Sequence, residues 1–455
     1  MPFLDDTSDV FQLASLAGGA TSSAVQPPSN DSLVPPLPET VGDTGLDFEF
    51  LADLALKTVD ADTNCTTERV SEKLKLPRTI TEPLLQHLYR ERFIEIRGQE
   101  GHQNNRYAML ERGWERAHRL VAINGYVGPA PVSLDAYSAM VQAQEKAKEP
   151  IHSEAVKAAF ADLVLPESVL HTLGLVANSR RTLFVHGAPG NGKTSVAKAL
   201  HSALGGAVWI PYAIEVDGQI IKVFDTHNHK PVSPPPSMAH DKRWIKIHRP
   251  MVIVGGELTI EAMDLIYSQS VGYYEAPFQM KSNGGTLVID DFGRQRIDPK
   301  DLLNRWIIPL EGHLDYLTLH TGKKIQVPFE QLLVFATNLK PEDLVDEAFL
   351  RRIGYQLRVD PPIIDTYKLI FQRYAESHGL DCDSTLLDPL VTRYQEDRRA
   401  MSSCDPGNLI ERCLDICRYE NVAPVLTPAQ LELAWVGYFG PKPKAHNTQQ
   451  TSEFT

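Results

Sequence analysis

The spacing of apolar residues divides the chain into stretches of different period. Near the start, Leu51, Leu54, Leu56 and Val59 recur at helical spacing. A second helix is predicted within TNCTTERVSEKLKL (63–76), with Thr66 or Thr67 as its N-cap and Pro77 ending it. A third runs through ITEPLLQHLYRERFIEI (80–96) and passes into alternation at Phe93, Ile94, Glu95 and Ile96 before Gly98. RYAML (106–110) predicts a second short strand, and the two strands would form a hairpin. Three short helices followed by a hairpin are the plan of a winged helix-turn-helix, expected over 46–120. From 151 to 362 helical and strand patterns alternate, which predicts an α/β unit with a parallel sheet. Residues 363–440 read as mainly helical.

The intervening stretches read differently. Residues 1–45 carry no Lys or Arg and are rich in Ser, Pro, Gly and Asp, so a disordered acidic tail is expected. GYVGPAPVSLDAY (125–137) marks a Gly- and Pro-punctuated linker, assigned to 121–150. Residues 441–455 are polar, and a flexible tail is expected there. The segment 212–250 reads as a polar surface insertion whose histidines, including His227 and His229, lack the partners of a metal site.

Composition adds limits. With 42% hydrophobic and 23% charged residues, the chain can bury a substantial core. No apolar run approaches the length of about 18 residues that a membrane helix requires. The acidic N-terminus and five scattered cysteines predict a cytoplasmic protein. A net charge of −13 is a poor starting point for nonspecific nucleic-acid binding. Basic residues only slightly outnumber acidic ones over 68–119 and interleave with them, which favours protein docking there, with DNA binding as the alternative.

The chemistry concentrates in three strand ends. Leu183-Phe184-Val185 leads into Gly187, Ala188, Pro189, Gly190, Asn191, Gly192, Lys193, Thr194 and Ser195. Glycines at these positions let backbone N–H groups converge on phosphate oxygens, and the following helix adds the positive end of its dipole. Lys193 would reach the β- and γ-phosphates of ATP, and Thr194 would offer its hydroxyl to Mg²⁺. The run Thr286–Ile289 then ends in two acids, Asp290 for the metal and Asp291 to polarise an attacking water. LLVFATNL (332–339) is a third buried strand, ending in Thr337 and Asn338. Glu257, after the apolar run 252–254, either senses nucleotide or caps the segment that follows.

Over about 151–440 these motifs resemble the AAA+ ATPases, closest to the branch of MoxR-type ATPases and bacterial enhancer-binding activators. The resemblance implies a P-loop AAA+ parallel sheet flanked by helices over 151–362, with a C-terminal helical lid over 363–440. It makes Asn338 a sensor 1 residue and makes Arg351 or Arg352 an arginine finger reaching into a neighbouring subunit. It also implies a ring oligomer, hexameric by resemblance, that hydrolyses ATP to remodel an as yet unknown protein client.

The sequence departs from the family pattern in three places. ELTIEAMDLIYSQSVG (257–272), expected to be helical, stands where enhancer-binding activators carry their sigma-gripping loop. Asp291 replaces the usual glutamate, which predicts slower turnover. Ile410 stands at the usual sensor 2 arginine position, and Arg412 lies roughly 200° further round the helix. Two alternative functions follow: an ATP-controlled DNA-binding regulator, or a slow nucleotide switch.

Overall fold

The carboxylate of Asp47 accepts hydrogen bonds from the backbone N–H groups of Glu49 (2.8 Å) and Phe50 (3.4 Å). This satisfies donors that every helix start leaves unpaired, and so fixes where the first helix begins. The computed structural model describes residues 33–63, 65–101, 104–235, 238–344 and 351–440. Its first elements are α1 (Phe48–Asp60), α2 (Thr67–Leu74) and α3 (Arg78–Arg90), the antiparallel pair β1 (Ile94–Gln99) and β2 (Asn105–Met109), and α4 (Glu111–Ile123). Of the two candidate caps for α2, Thr66 is used, its hydroxyl accepting from Arg69 N–H at 3.3 Å. Leu51, Leu54, Val70, Leu74, Ile80 and Leu84 form the fully buried centre of this unit.

Next come β3 (Val132–Ser133), α5 (Leu134–Lys146), α6 (Ser153–Ala159) and α7 (Glu167–Ser179). The linker expected over 121–150 therefore contains a helix. Ser133 caps α5, and Tyr137 on it is fully buried and accepts a hydrogen bond from Asn283 (2.8 Å). Its Gln144 side chain closes a two-way hydrogen-bond pair with the Trp209 backbone. The Gly and Pro signals end at Pro131, and a capped helix follows directly.

The central sheet is built from β4 (Leu183–His186), β9 (Met251–Val254), β12 (Thr286–Ile289), β15 (Leu332–Thr337) and β16 (Tyr355–Arg358). All four pairings are parallel, in the spatial order β16-β4-β15-β12-β9. Its central strands are apolar except at single end positions (His186, Thr286 and Thr337), because helices cover both faces. Leu183, Val185, Val288 and Val334 face a core shared with α7 and with α8 (Lys193–Leu204). Phe184, Leu287, Ile289 and Phe335 face a second core that includes Trp306 of α10 (Pro299–Gly312).

The insertion is more ordered than its composition predicts. Between α8 and β9 lie β5 (Ala207–Pro211), β6 (Ala213–Val216), β7 (Gln219–Lys222) and β8 (Trp244–His248). Beyond β9, residues 257–272 form no α-helix: one short 3-10 turn at Glu261–Met263 leads into β10 (Ile266–Ser268), which pairs with β11 (Tyr273–Glu275). Leu258 and Met263 are buried while Ile260 and Ile266 are exposed, so one helical face could not have covered all four. Strands β10, β11, β7, β6 and β3 make a second, mixed sheet. Its core also takes residues from α9 (Phe278–Lys281) and from the hairpin β13 (Leu314–Thr318) and β14 (Lys324–Pro328).

The N-terminal tail also departs from expectation. Residues 1–32 and 441–455 lie outside the described residues, but 33–45 are placed. Asp241 N–H donates to Pro35 O (3.1 Å), and Arg243 donates to Thr44 O (2.9 Å) and Pro131 O (3.0 Å). Partners distant in sequence supply the order that local composition does not. After α11 (Pro341–Leu344), the chain ends in the helices α12 (Ile364–Ser377), α13 (Asp388–Glu396), α14 (Asp405–Glu420) and α15 (Pro428–Phe439), around Tyr367, Phe371, Leu409, Ile410 and Trp435.

Candidate functional site

Three adjacent parallel strands end side by side, and the segments leaving them make the site. The register sets Thr337 opposite His186 and Ile289 opposite Phe335. Gly187, Asn338 and Asp290 therefore emerge together at the carboxyl edge of the sheet, where ligands of open α/β sheets bind. The loop 187–192 turns through positive φ at Gly187, Gly190 and Gly192 and delivers the chain into α8. An added Cβ on Gly187 would lie 2.1 Å from Val359 O, so the loop also needs glycine for close approach to β16.

Within this cradle Lys193 is buried. Its ammonium donates to Gly187 O and Ala188 O, each at 3.0 Å, and to the side-chain oxygen of Asn338. Burial lowers the Lys193 pKa, and the charges of Asp291 and Asp290 oppose that shift. Asn338 in turn donates to Asp291 Oδ1 at 3.2 Å. The Thr194 hydroxyl donates to Asp290 Oδ2 at 2.8 Å. Gln295 donates to the carbonyls of Asp290 (2.9 Å) and Asp291 (3.1 Å) and fixes the turn that holds both acids. The sequence-predicted residues Lys193, Thr194, Asp290, Asp291 and Asn338 thus form one continuous hydrogen-bonded group.

They line a cavity of about 980 Å³. The loop and the two acids give it a polar lining, and Leu163, Leu165, Val169, Ile363 and Ile370 give it an apolar one. The oxygen pair Thr194–Asp290 suits Mg²⁺, which takes one or two protein oxygens and completes its shell with water and phosphate. Among the described residues no cluster of three or more His, Cys, Asp or Glu offers an all-protein metal site.

Other candidates are placed elsewhere. Neither Arg351 nor Arg352 lines this cavity, and Arg352 Nε pairs with Glu311 at 2.6 Å. Glu257 turns back to accept from Gly255 N–H at 3.0 Å and is held ionised by backbone donors of its own loop. His229 is buried with both ring nitrogens engaged, by Asp225 N–H and by Lys281 O. Ile410 is fully buried in the helical core. Arg412 lies over the Tyr438 ring, 4.6 Å from its centroid, and does not line the cavity.

Two features of the site were not read from the sequence. Arg294 lines the cavity, three positions past Asp291 in the same turn, and has no carboxylate partner among the described residues. The segment Ser402–Cys404, just ahead of α14, clasps the loop. Cys404 N–H donates to Gly190 O (2.9 Å), Ser403 N–H to Asn191 Oδ1 (3.0 Å), and Ser402 Oγ to Pro189 O (3.4 Å). An added Cβ on Gly190 would meet Ser402 Oγ at 2.4 Å and Cys404 Sγ at 2.7 Å, and φ there is +77°. Gly190→Ala is therefore expected to weaken nucleotide binding by about tenfold or more through strain and loss of the clasp. Titration with a fluorescent nucleotide checks this, and unchanged affinity would contradict it.

A glycine loop between a buried parallel strand and a helix, facing two acids on a strand two places along the sheet, defines a P-loop fold, with a parallel sheet flanked by helices. Comparison with known proteins adds little beyond that. A family described as a domain of unknown function (DUF8689) matches residues 364–436, within the C-terminal helices. No curated protein sequence matches the chain. Among solved structures, the RuvB Holliday junction branch migration motor of Thermotoga maritima is similar at 14% identity, covering 60% of this chain and 69% of that one, with a TM-score of 0.36. NtrX from Brucella abortus in complex with ADP is similar at 15% identity, covering 70% and 65%, with a TM-score of 0.35. Among the described residues no helix is long and apolar enough to cross a membrane.

Proposed function

We propose that the protein binds Mg·ATP in this cavity and hydrolyses it to drive movement of the C-terminal helices against a macromolecular client. The observation that carries the reading is the hydrogen-bonded group Thr194–Asp290 and Lys193–Asn338–Asp291 at one sheet edge. The apolar lining of the cavity receives the base, and the loop N–H groups and Lys193 receive the phosphates. Thr194 and Asp290 would hold Mg²⁺, which when bound would neutralise phosphate charge. Asp291 accepts the proton of the attacking water, and Asn338 orients both that carboxylate and the water. Arg294 supplies a guanidinium from the same chain where no sensor 2 arginine reaches. Arg351 or Arg352 completes the site of a neighbouring subunit in a ring oligomer.

The aspartate at 291 supports a second reading, a slow nucleotide switch, because its carboxylate is one methylene shorter than the family's glutamate. Variants at 291 separate the two. Asp291→Asn is expected to lower the rate of phosphate release roughly 10²-fold while leaving nucleotide affinity within a few-fold. Asp291→Glu raising the rate above wild type identifies the switch. Wild-type protein that releases no phosphate from Mg·ATP, and so matches Lys193→Ala, would sink the hydrolysis reading.

For the client, the N-terminal unit favours protein over DNA. Its hairpin arginines are matched by acids on the same hairpin, Arg97 with Glu95 at 2.9 Å and Arg106 with Glu100 at 3.5 Å. Such pairing leaves little net charge to exchange for phosphate counterions. Salt-sensitive DNA binding by the full chain would reverse this assignment.

A further inference from the structure

A second cavity, of about 310 Å³, lies at the opposite end of α8 from the glycine loop. A helix of 12 residues separates them, about 18 Å. Lys148, Arg180 and Arg249 line it, with His152, Glu149 and the Gly205-Gly206 turn.

The cations here are incompletely matched. The Arg180 side chain is only 8% exposed. Its Nη1 pairs with Glu145 at 3.2 Å, while its Nε is buried without a hydrogen-bond partner. Glu145 is also the partner of Lys148, so one carboxylate serves two cations. Arg249 has only carbonyl partners among the described residues, Gly205 O at 2.7 Å and Gly284 O at 2.5 Å. Burial, together with the charge of Arg180, pushes the Arg249 pKa down to about 10. Holding two arginines together in a partly desolvated wall is costly, and the charge of Glu145, which acts on both and is shared with Lys148, offsets only part of that cost. The protein is acidic overall, so a general surplus of positive charge does not account for the cluster.

We propose that this cavity is an anion site for a phosphate group, free or carried by a small phosphorylated molecule, held between Arg180, Arg249 and Lys148. Planar guanidinium groups suit phosphate oxygens, and the volume admits a phosphate with a small body attached.

The test uses full-length Lys193→Ala protein, in which the glycine loop no longer competes for phosphate. Inorganic phosphate, pyrophosphate and glucose 6-phosphate are titrated calorimetrically. Saturable one-site binding of any of them is expected, and comparison of the three tells free phosphate from a phosphate ester. Adding Arg249→Gln should weaken that binding by about tenfold or more, the effect of losing one charged contact. Ala155→Glu, at an exposed position on the rim, should do the same by repulsion while leaving the arginines and their carbonyl bonds in place. Absence of binding by all three ligands overturns the proposal. So does binding that neither added substitution changes.

Discussion

On the proposed function, Lys193→Ala is expected to lower ATP hydrolysis roughly 10²–10³-fold and to remove most nucleotide affinity while leaving the fold intact. The lysine is the one group in the hydrogen-bonded set that carries positive charge, and it contacts the loop and Asn338 together. Its loss withdraws a charged donor from the phosphates in a partly desolvated cleft, where such a contact is worth roughly 3–4 kcal/mol in the transition state. That corresponds to roughly 10²–10³-fold in rate. The fold should persist because the strands beneath the loop are held by their own parallel ladders and apolar cores. Phosphate release and fluorescent-nucleotide titration read the loss, with the thermal unfolding midpoint as the control. Near-normal turnover at an unchanged midpoint would move the catalytic cation elsewhere, with Arg294 the next residue to test.

The largest effect on stability is expected far from the cavity. Arg243 and Asp241 are a bidentate pair with both side chains 4% exposed, at 2.8–3.1 Å. Arg243 Nη1 also holds Thr44 O and Pro131 O. Arg243→Ala leaves a buried carboxylate uncompensated and two carbonyls without their donor. Breaking a buried pair from one side costs about 3–5 kcal/mol. Denaturant titration should show that loss, and limited proteolysis should find new cleavage near residues 33–45. Substituting both Arg243 and Asp241 with apolar residues should recover part of the stability, because the stranded charge is gone. Equal losses in the single and double variants would contradict this account.

What could be read in the sequence follows the range of the interactions. The glycine loop, the acidic strand end and the Thr337-Asn338 strand end are short continuous segments whose chemistry is local. Their convergence required only that three buried strands be neighbours. The helices of the N-terminal unit were legible for the same reason, since Thr66 and Pro77 act on the few residues beside them. The second sheet was not legible. Its strands are three to four residues long or shorter, and β3 pairs with β6 about eighty residues away. Apolar periodicity over so few positions does not tell strand from loop. The same holds for residues 33–45, whose order comes from Asp241 and Arg243, and for 257–272, where sheet pairing overrides a helical-looking composition. Arg294 lies only three positions past Asp291, but its approach to the cavity depends on the turn that Gln295 fixes.

The contact of Ser402–Cys404 with the loop has a consequence for timing. These hydrogen bonds tie the loop at Gly190 and Asn191 to the N-terminus of α14. In the proposed cycle, exchange of product for substrate would therefore be coupled to the position of the C-terminal helices. By reciprocity, whatever grips those helices and changes nucleotide affinity must itself be gripped more or less tightly by the same factor when nucleotide binds. A client attached there would set the clock of the cycle by its load.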